Sequence, residues 1–332
     1  MTDIVKIGHE LAETFKKYPA DYIEAHLEES HAEHVTYRGR ALESVDQTTA
    51  VGGNVRALVK GGWGFVSFNS LDDLPNRVEL AVKQACLVGR GESKLARVAP
   101  VVDVVPLETG RNPATIPLAD KKNQLDEYLD IVWKTPKIRT STINYGDSQK
   151  RSIYLNSSGS YIEQSRADIT LRLTVMATQN GETQQAGFSV GSRGDFSSIQ
   201  GLHQQVAETA QRAVDLLSVP QAKGGEYTVV LDPILAGVFV HEAFGHLSES
   251  DFVYEDGRMR KIMTLGKEFG GTGLNIVDSA VEKGLRGSYK YDDEGVPASK
   301  TYLIREGKLV GRLHSRETAA KMNEKPTGNA RA

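Results

Sequence analysis

Apolar residues first recur at helical spacing: Ile4, Ile7, Leu11 and Phe15 share one face, with lysines and glutamates on the others. This predicts an amphipathic helix that ends before Pro19. Between residues 22 and 45 the period shortens to two, with Ile23, Ala25 and Leu27 set among glutamates and histidines, which predicts a half-exposed strand pair. Residues 51–69 continue in that manner, broken by Gly61, Gly62 and Gly64, which mark turns or close backbone approach. Helical spacing returns over 71–87, with Leu80, Ala81, Gln84 and Ala85 on the expected buried face, and over 118–133. A proline-containing connector, 99–117, separates these two helices. From 151 to 190 the pattern is β again: a Ser158-Gly159 turn, then Ile169, Leu171, Leu173 and Val175 alternating with polar residues, then Asn180-Gly181, a strong hairpin signal. A helix over about 198–218 follows, with Val206, Ala210, Ala213, Val214 and Leu217 at helical spacing.

Residues 219–226, Val-Pro-Gln-Ala-Lys-Gly-Gly-Glu, interrupt both periodicities and mark a domain boundary. A chain of 332 residues exceeds the usual size of one compact domain. The expectation is an α+β protein: a mixed α/β sheet domain over 1–220, then a largely β domain over 225–332 that carries a histidine-bearing helix. In that second part 227–231 reads as a short apolar strand. Asp232 then supplies an N-cap, Pro233 the first helical position, and Ile234, Leu235, Val238 and Phe239 the expected buried stripe.

Composition removes several function classes. Apolar residues at 39% and charged residues at 25% are those of a folded globular protein. A net charge of -3, from 40 basic and 43 acidic side chains, offers no footprint for nucleic-acid phosphates, so no direct nucleic-acid partner is expected. The N-terminus lacks the basic patch and apolar run of a signal peptide, and no stretch reaches the roughly 18 apolar residues of a membrane span. The single cysteine, Cys86, forbids an intrachain disulfide and reads as a small buried hydrophobe. A cytoplasmic protein is expected.

The chemistry concentrates in His241-Glu242-Ala243-Phe244-Gly245-His246. Two histidines four apart on a helix reach one Zn²⁺, as in thermolysin-like peptidases. Here they are five apart, which on a regular α-helix puts them roughly 140° apart around the axis. The helix must therefore deform, and a single π-type turn with an i to i+5 hydrogen bond would restack residues 241 and 246. Gly245, a poor helix former, sits where that distortion costs least. With two neutral nitrogen ligands and a third protein ligand, zinc would keep one position open for water. Glu242 would then be the general base, taking a proton from that water and passing it to a leaving amine.

The motif is followed by Glu249 and Asp251, then Tyr291-Asp-Asp-Glu-Gly295 and Pro326-Thr-Gly-Asn-Ala-Arg331. Together these segments closely resemble the TldD/PmbA family, once called modulators of DNA gyrase. The resemblance extends to Gly61-Gly-Trp-Gly-Phe65 and to the Asn156-Ser-Ser-Gly159 turn. It implies a TldD-type zinc metallopeptidase with two domains, His241 and His246 as zinc ligands and Glu242 as general base. It also implies a cysteine as third ligand in a later β-rich part of the second domain, beyond Ala332, so that the C-terminal part reads as missing. The implied substrates are unfolded or leader peptides, and the implied assembly is a homodimer or a heterodimer with an inactive paralogue. A non-catalytic peptide-binding or assembly subunit of such a complex is the alternative.

Other polar groups invite blander readings. His26, His31 and His34, among Glu24, Glu28 and Glu29, mix strand parities and read as a solvated strand edge. Lys60-Gly-Gly-Trp-Gly lacks the length and the Lys-Ser/Thr of a phosphate loop and reads as a turn. Asp292, Asp293 and Glu294 read as an acidic, glycine-terminated loop, and Glu249, Asp251 and Asp256 as carboxylates supporting the site or facing solvent.

Overall fold

In a computed structural model of the chain, residues 4–89 and 91–331 are described. Helix α1 (Ile4–Phe15) leads into the antiparallel strands β1 (Tyr22–Arg38), β2 (Ala41–Val59) and β3 (Gly62–Phe68), then helix α2 (Leu74–Val88). The connector contains a short strand, β4 (Val102–Val105), before helix α3 (Leu118–Lys134). Strands β5 (Ile138–Asn156), β6 (Tyr161–Gln179) and β7 (Glu182–Ser192) and helix α4 (His203–Asp215) complete this part. The strands form one seven-stranded sheet in the order β3-β2-β1-β5-β6-β4, with β7 also paired to β6. Asn180 and Gly181 both take positive φ, 52° and 85°, at the β6–β7 turn, as a tight two-residue hairpin requires.

Strand parity explains how one sheet serves two ends of the protein. On β1 the odd residues Ile23, Ala25 and Leu27 join a core with α1 and α2, while Val35 and Tyr37, also odd, join a second core with α3 and α4. Strand β5 repeats this with Ile153 and Leu155 in the first core and Ile143 and Tyr145 in the second. Because alternate residues face opposite ways, all four helices cover one face. The even residues, among them His26, Arg56, Lys150, Tyr154 and Arg166, form a polar opposite face that walls a cavity of about 1320 Å³.

The far wall of that cavity comes from the last third of the chain. This part holds α5 (Pro233–Val240), α6 (Ser250–Glu255), α7 (Gly257–Ile262), β8 (Ile276–Ser279), β9 (Lys300–Arg305), β10 (Lys308–Leu309) and α8 (Arg316–Met322). The fold is α+β; in this last part the strands are short and form a three-stranded sheet, β10-β9-β8. Its own core gathers Val253, Met263, Ile276, Leu303, Ile304 and Leu309.

Several expectations need correction. Residues 227–231 form no strand: the segment runs unpaired, with Val230 99% exposed. The predicted stripe of α5 is not buried either, since Ile234, Leu235, Val238 and Phe239 are exposed. Instead Val240 and Phe244, at the far end of the helix, pack against the third core, so the helix is anchored by its last turn. Cys86 is exposed, because α2 buries Val78, Ala81, Val82 and Ala85 and turns Cys86 and Leu80 outward. The histidines of β1 do not lie on a sheet edge, because β1 is paired on both sides.

Leu125 of α3 is fully buried in the second core. Replacing it with alanine is expected to lower unfolding free energy by about 2–5 kcal/mol in urea titration. Leu87→Ala, at a position 88% exposed, is expected to shift it by less than about 0.5 kcal/mol.

Candidate metal centre

The histidine-bearing helix starts as its sequence dictates. Asp232 Oδ1 accepts hydrogen bonds from Ile234 N (2.8 Å) and Leu235 N (2.9 Å), with Pro233 next in the first turn. After Val240 the backbone widens into a π-turn over His241–Gly245, in which the His246 amide donates to the His241 carbonyl. That i to i+5 bond brings residues 241 and 246 onto one side. Their ring centroids lie 4.6 Å apart, and the side-chain donor atoms of His241, Glu242 and His246 all fall within 4.8 Å of one another. All three side chains are exposed, so water and substrate can reach them.

The arrangement suits a divalent ion. Glu249 Oε1 lies 2.9 Å from His246 Nδ1. A carboxylate only accepts, so Nδ1 is the protonated nitrogen, and Nε2 is the one that can turn a lone pair to a metal. On the other side, burial pushes the Asp278 carboxyl above the usual carboxylate range, and the nearby imidazole of His241 opposes that shift. Asp278, on β8, is thus an electrostatic neighbour of the first imidazole. Among the described residues no other group of three such side chains comes together this way.

The remaining predicted carboxylates do other work. Asp256 caps α7 by accepting from Arg258 N and Met259 N, and Asp251 Oδ1 accepts from Phe252 N. Asp292 Oδ1 accepts from Glu294 N (3.0 Å) and Val296 N (2.8 Å), and its Oδ2 from Ala330 N (3.1 Å). Burial pushes the Asp292 carboxyl up to about 7 against the pull of those three amides. Glu294 Oε2 accepts from Arg316 N at 2.6 Å.

The segment 326–331 closes onto this acidic loop. Asp293 N donates to Ala330 O, and Tyr289 OH to Gly328 O. The Asn329 side-chain amide in turn donates to Asp278. Asp278 was not singled out from the sequence: it stands 37 positions from His241 inside a short apolar run, with no spacing that ties it to the motif.

Three profiles of the PmbA/TldA metallopeptidases match the chain: domain 1 over residues 24–87, the central domain over 111–217 and the C-terminal domain over 224–332. A metalloprotease of Synechocystis sp. is 46% identical over 315 residues, covering 94% of this chain and 68% of that protein. The chain belongs to the PmbA/TldD family of metallopeptidases. Within that family a metalloprotease of Methanocaldococcus jannaschii is 33% identical over 319 residues, covering 94% of this chain and 70% of that one. A zinc metalloprotease TldD homologue of Saccharolobus solfataricus is 27% identical, covering 85% and 62%. The fold is also that of two solved structures, each 16% identical. One is a presumed modulator of DNA gyrase from Bacteroides thetaiotaomicron (TM-score 0.82; 99% of this chain, 76% of that one). The other is TldE from Thermococcus kodakarensis (TM-score 0.74; 99% and 73%). Among the described residues no helix is long and apolar enough to cross a membrane.

Removing the group that holds His246 should weaken metal binding without unfolding the chain. Glu249→Gln is expected to lower zinc affinity by about 10- to 100-fold in competition with a chromophoric chelator. His246→Ala is expected to abolish stoichiometric binding, with far-UV circular dichroism unchanged in both variants.

Proposed function

We propose that this chain is a zinc-dependent peptidase acting on unfolded or leader peptides, with His241 and His246 as metal ligands and Glu242 as general base. The observation that carries the reading is the π-turn, which gathers two imidazoles and a carboxylate on one exposed face. The names of the relatives agree with metal-dependent proteolysis as their activity.

When bound, zinc supplies the Lewis acidity that makes water a competent nucleophile near neutral pH. Glu242 takes the proton of the attacking water at a carboxylate oxygen and returns it to the amide nitrogen as the carbon–nitrogen bond breaks. Glu249 keeps His246 in the tautomer that presents Nε2, and Asp278 sets a half-buried carboxyl near His241. The cavity against the polar sheet face exceeds the roughly 300–1,000 Å³ of common small-ligand pockets. An extended peptide suits that volume better than a metabolite does.

Glu242→Gln is expected to keep zinc, measured by elemental analysis, while slowing hydrolysis of an unstructured fluorogenic peptide by about 10²-fold or more. Unchanged hydrolysis would remove Glu242 from the role of base. Zinc bound to the unaltered protein with no hydrolysis of any unstructured peptide would instead favour a non-catalytic peptide-binding subunit.

A further inference from the structure

The cavity has a corner whose charges are uneven. Arg166 on β6 forms a two-pronged pair with Asp168, at 2.6 and 2.9 Å, and Arg286 approaches the same carboxylate at 3.5 Å. Arg193, just after β7, stands beside them: its neighbours by charge are Arg166, Asp168 and Glu108, and burial with the Arg166 charge holds its pKa below the usual guanidinium range. Three guanidinium groups thus meet two carboxylates, and Asp168 is already engaged by two of the three. Glu108 is exposed, and no ion pair joins it to Arg193 within 4.0 Å.

Arg193 is also underused as a donor. Its Nη1 donates to Ser288 O at 3.1 Å, while its buried Nε finds no acceptor among the described residues. The hydroxyl of Ser288, likewise buried, has no partner among the described residues either. Both residues line the cavity, as does Arg166, the charge neighbour of Arg193. Both unspent groups lie just beneath the cavity surface, so a planar acceptor with two oxygens would meet the outer edge of the guanidinium and reach them by a small side-chain shift.

We propose that Arg193, backed by Arg166 and Ser288, forms a subsite that binds a carboxylate of a peptide lying in this cavity. This rests on the peptidase reading only for the ligand being a peptide; the corner itself is defined without the metal centre. The cavity wall next to this corner connects to that centre through the chain, since Tyr289 N, one residue after Ser288, donates to Ala280 O at 2.9 Å. Ala280 and Ala330 line it, two residues after Asp278 and one after Asn329, whose side chains bond to each other beside His241. A carboxylate held at Arg193 would therefore tether a peptide on the cavity side of the metal-binding helix.

Binding to metal-stripped protein tests this apart from hydrolysis. Fluorescence anisotropy would compare an N-terminally labelled unstructured peptide with its C-terminal amide and with a version whose internal glutamates are glutamines. One of these two changes is expected to weaken binding about tenfold or more, and which one does so identifies the carboxylate as terminal or side-chain. Arg193→Gln is expected to weaken the parent peptide as much and to remove the difference between it and the weakened analogue, while Arg193→Lys restores part of the affinity. Equal binding of all three peptides to the unaltered protein, which needs no variant to fold, would overturn the proposal. So would the absence of binding to the metal-stripped protein, or an Arg193→Gln protein that binds the parent peptide undiminished. None of these results bears on whether Glu242→Gln slows hydrolysis, so the two readings fail separately.

Discussion

One backbone hydrogen bond, from the amide of His246 to the carbonyl of His241, decides whether this sequence can make a metal site. With α-helical geometry the two imidazoles would diverge by roughly 140°; with one residue added to the turn they converge. A π-turn is uncommon because its backbone packs less well than that of an α-helix, so neighbouring interactions must hold it. The side chain of Asp232 fixes the start of the helix, a cap worth about 1 kcal/mol. Val240 and Phe244 fix its end, with Phe244 set edge-on to Phe269 at 5.1 Å. Anchored at both ends, the helix takes up the extra residue between Val240 and His246, where Gly245 tolerates it.

The sheet supplies the second constraint. One face of the sheet is consumed by helices, so whatever covers the other must accept polar side chains. The last third of the chain does so through a buried network. Arg56 pairs with Glu24 and approaches Glu294 at 3.7 Å, and Arg316 donates to Tyr22 OH at 2.8 Å. Tyr22 and Tyr154 share a hydrogen bond at 2.8 Å, and Trp63 Nε1 reaches Glu317 at 3.0 Å. Burial raises the Tyr22 and Glu294 pKa values and lowers that of His26, as expected where charge is costly unless paired. Such networks contribute little net stability but strongly penalise misalignment, because shifting one member strands the others. Gly295 shows how tight the fit is: a Cβ there would come within 2.5 Å of Tyr154.

What could be read from the sequence followed from local rules. The helices at 4–15 and 118–134, the Asn180-Gly181 hairpin, the Asp232-Pro233 helix start and the need for a π-turn all rest on spacing within about a dozen residues. The exposure of α5 is not legible in its pattern, because an apolar stripe shows which face seeks cover and not what covers it. Cys86 was misplaced for a related reason, since residue type alone cannot say which side of α2 meets the sheet. The polar cavity wall was written in the even positions of β1, β2, β5 and β6, yet alternation on one strand does not reveal what roofs it. Asp278 and Arg193 were invisible because their partners lie far away in sequence.

The acidic residues quoted beside the histidine motif show why residue type alone is a poor guide to metal ligands. Asp292 spends its oxygens on three backbone amides, Glu294 on the amide of Arg316, and the side chain of Asp256 on a helix start. A carboxylate so engaged has few lone pairs left for a cation, whatever its charge. Their contribution to the candidate metal centre runs through shape instead. Asp292 and Asp293 bind the 326–331 segment by its backbone, that segment presents Asn329 to Asp278, and Asp278 stands near His241. The two motif segments are therefore one structure split in sequence, and its product is the placement of a single carboxylate beside the first imidazole.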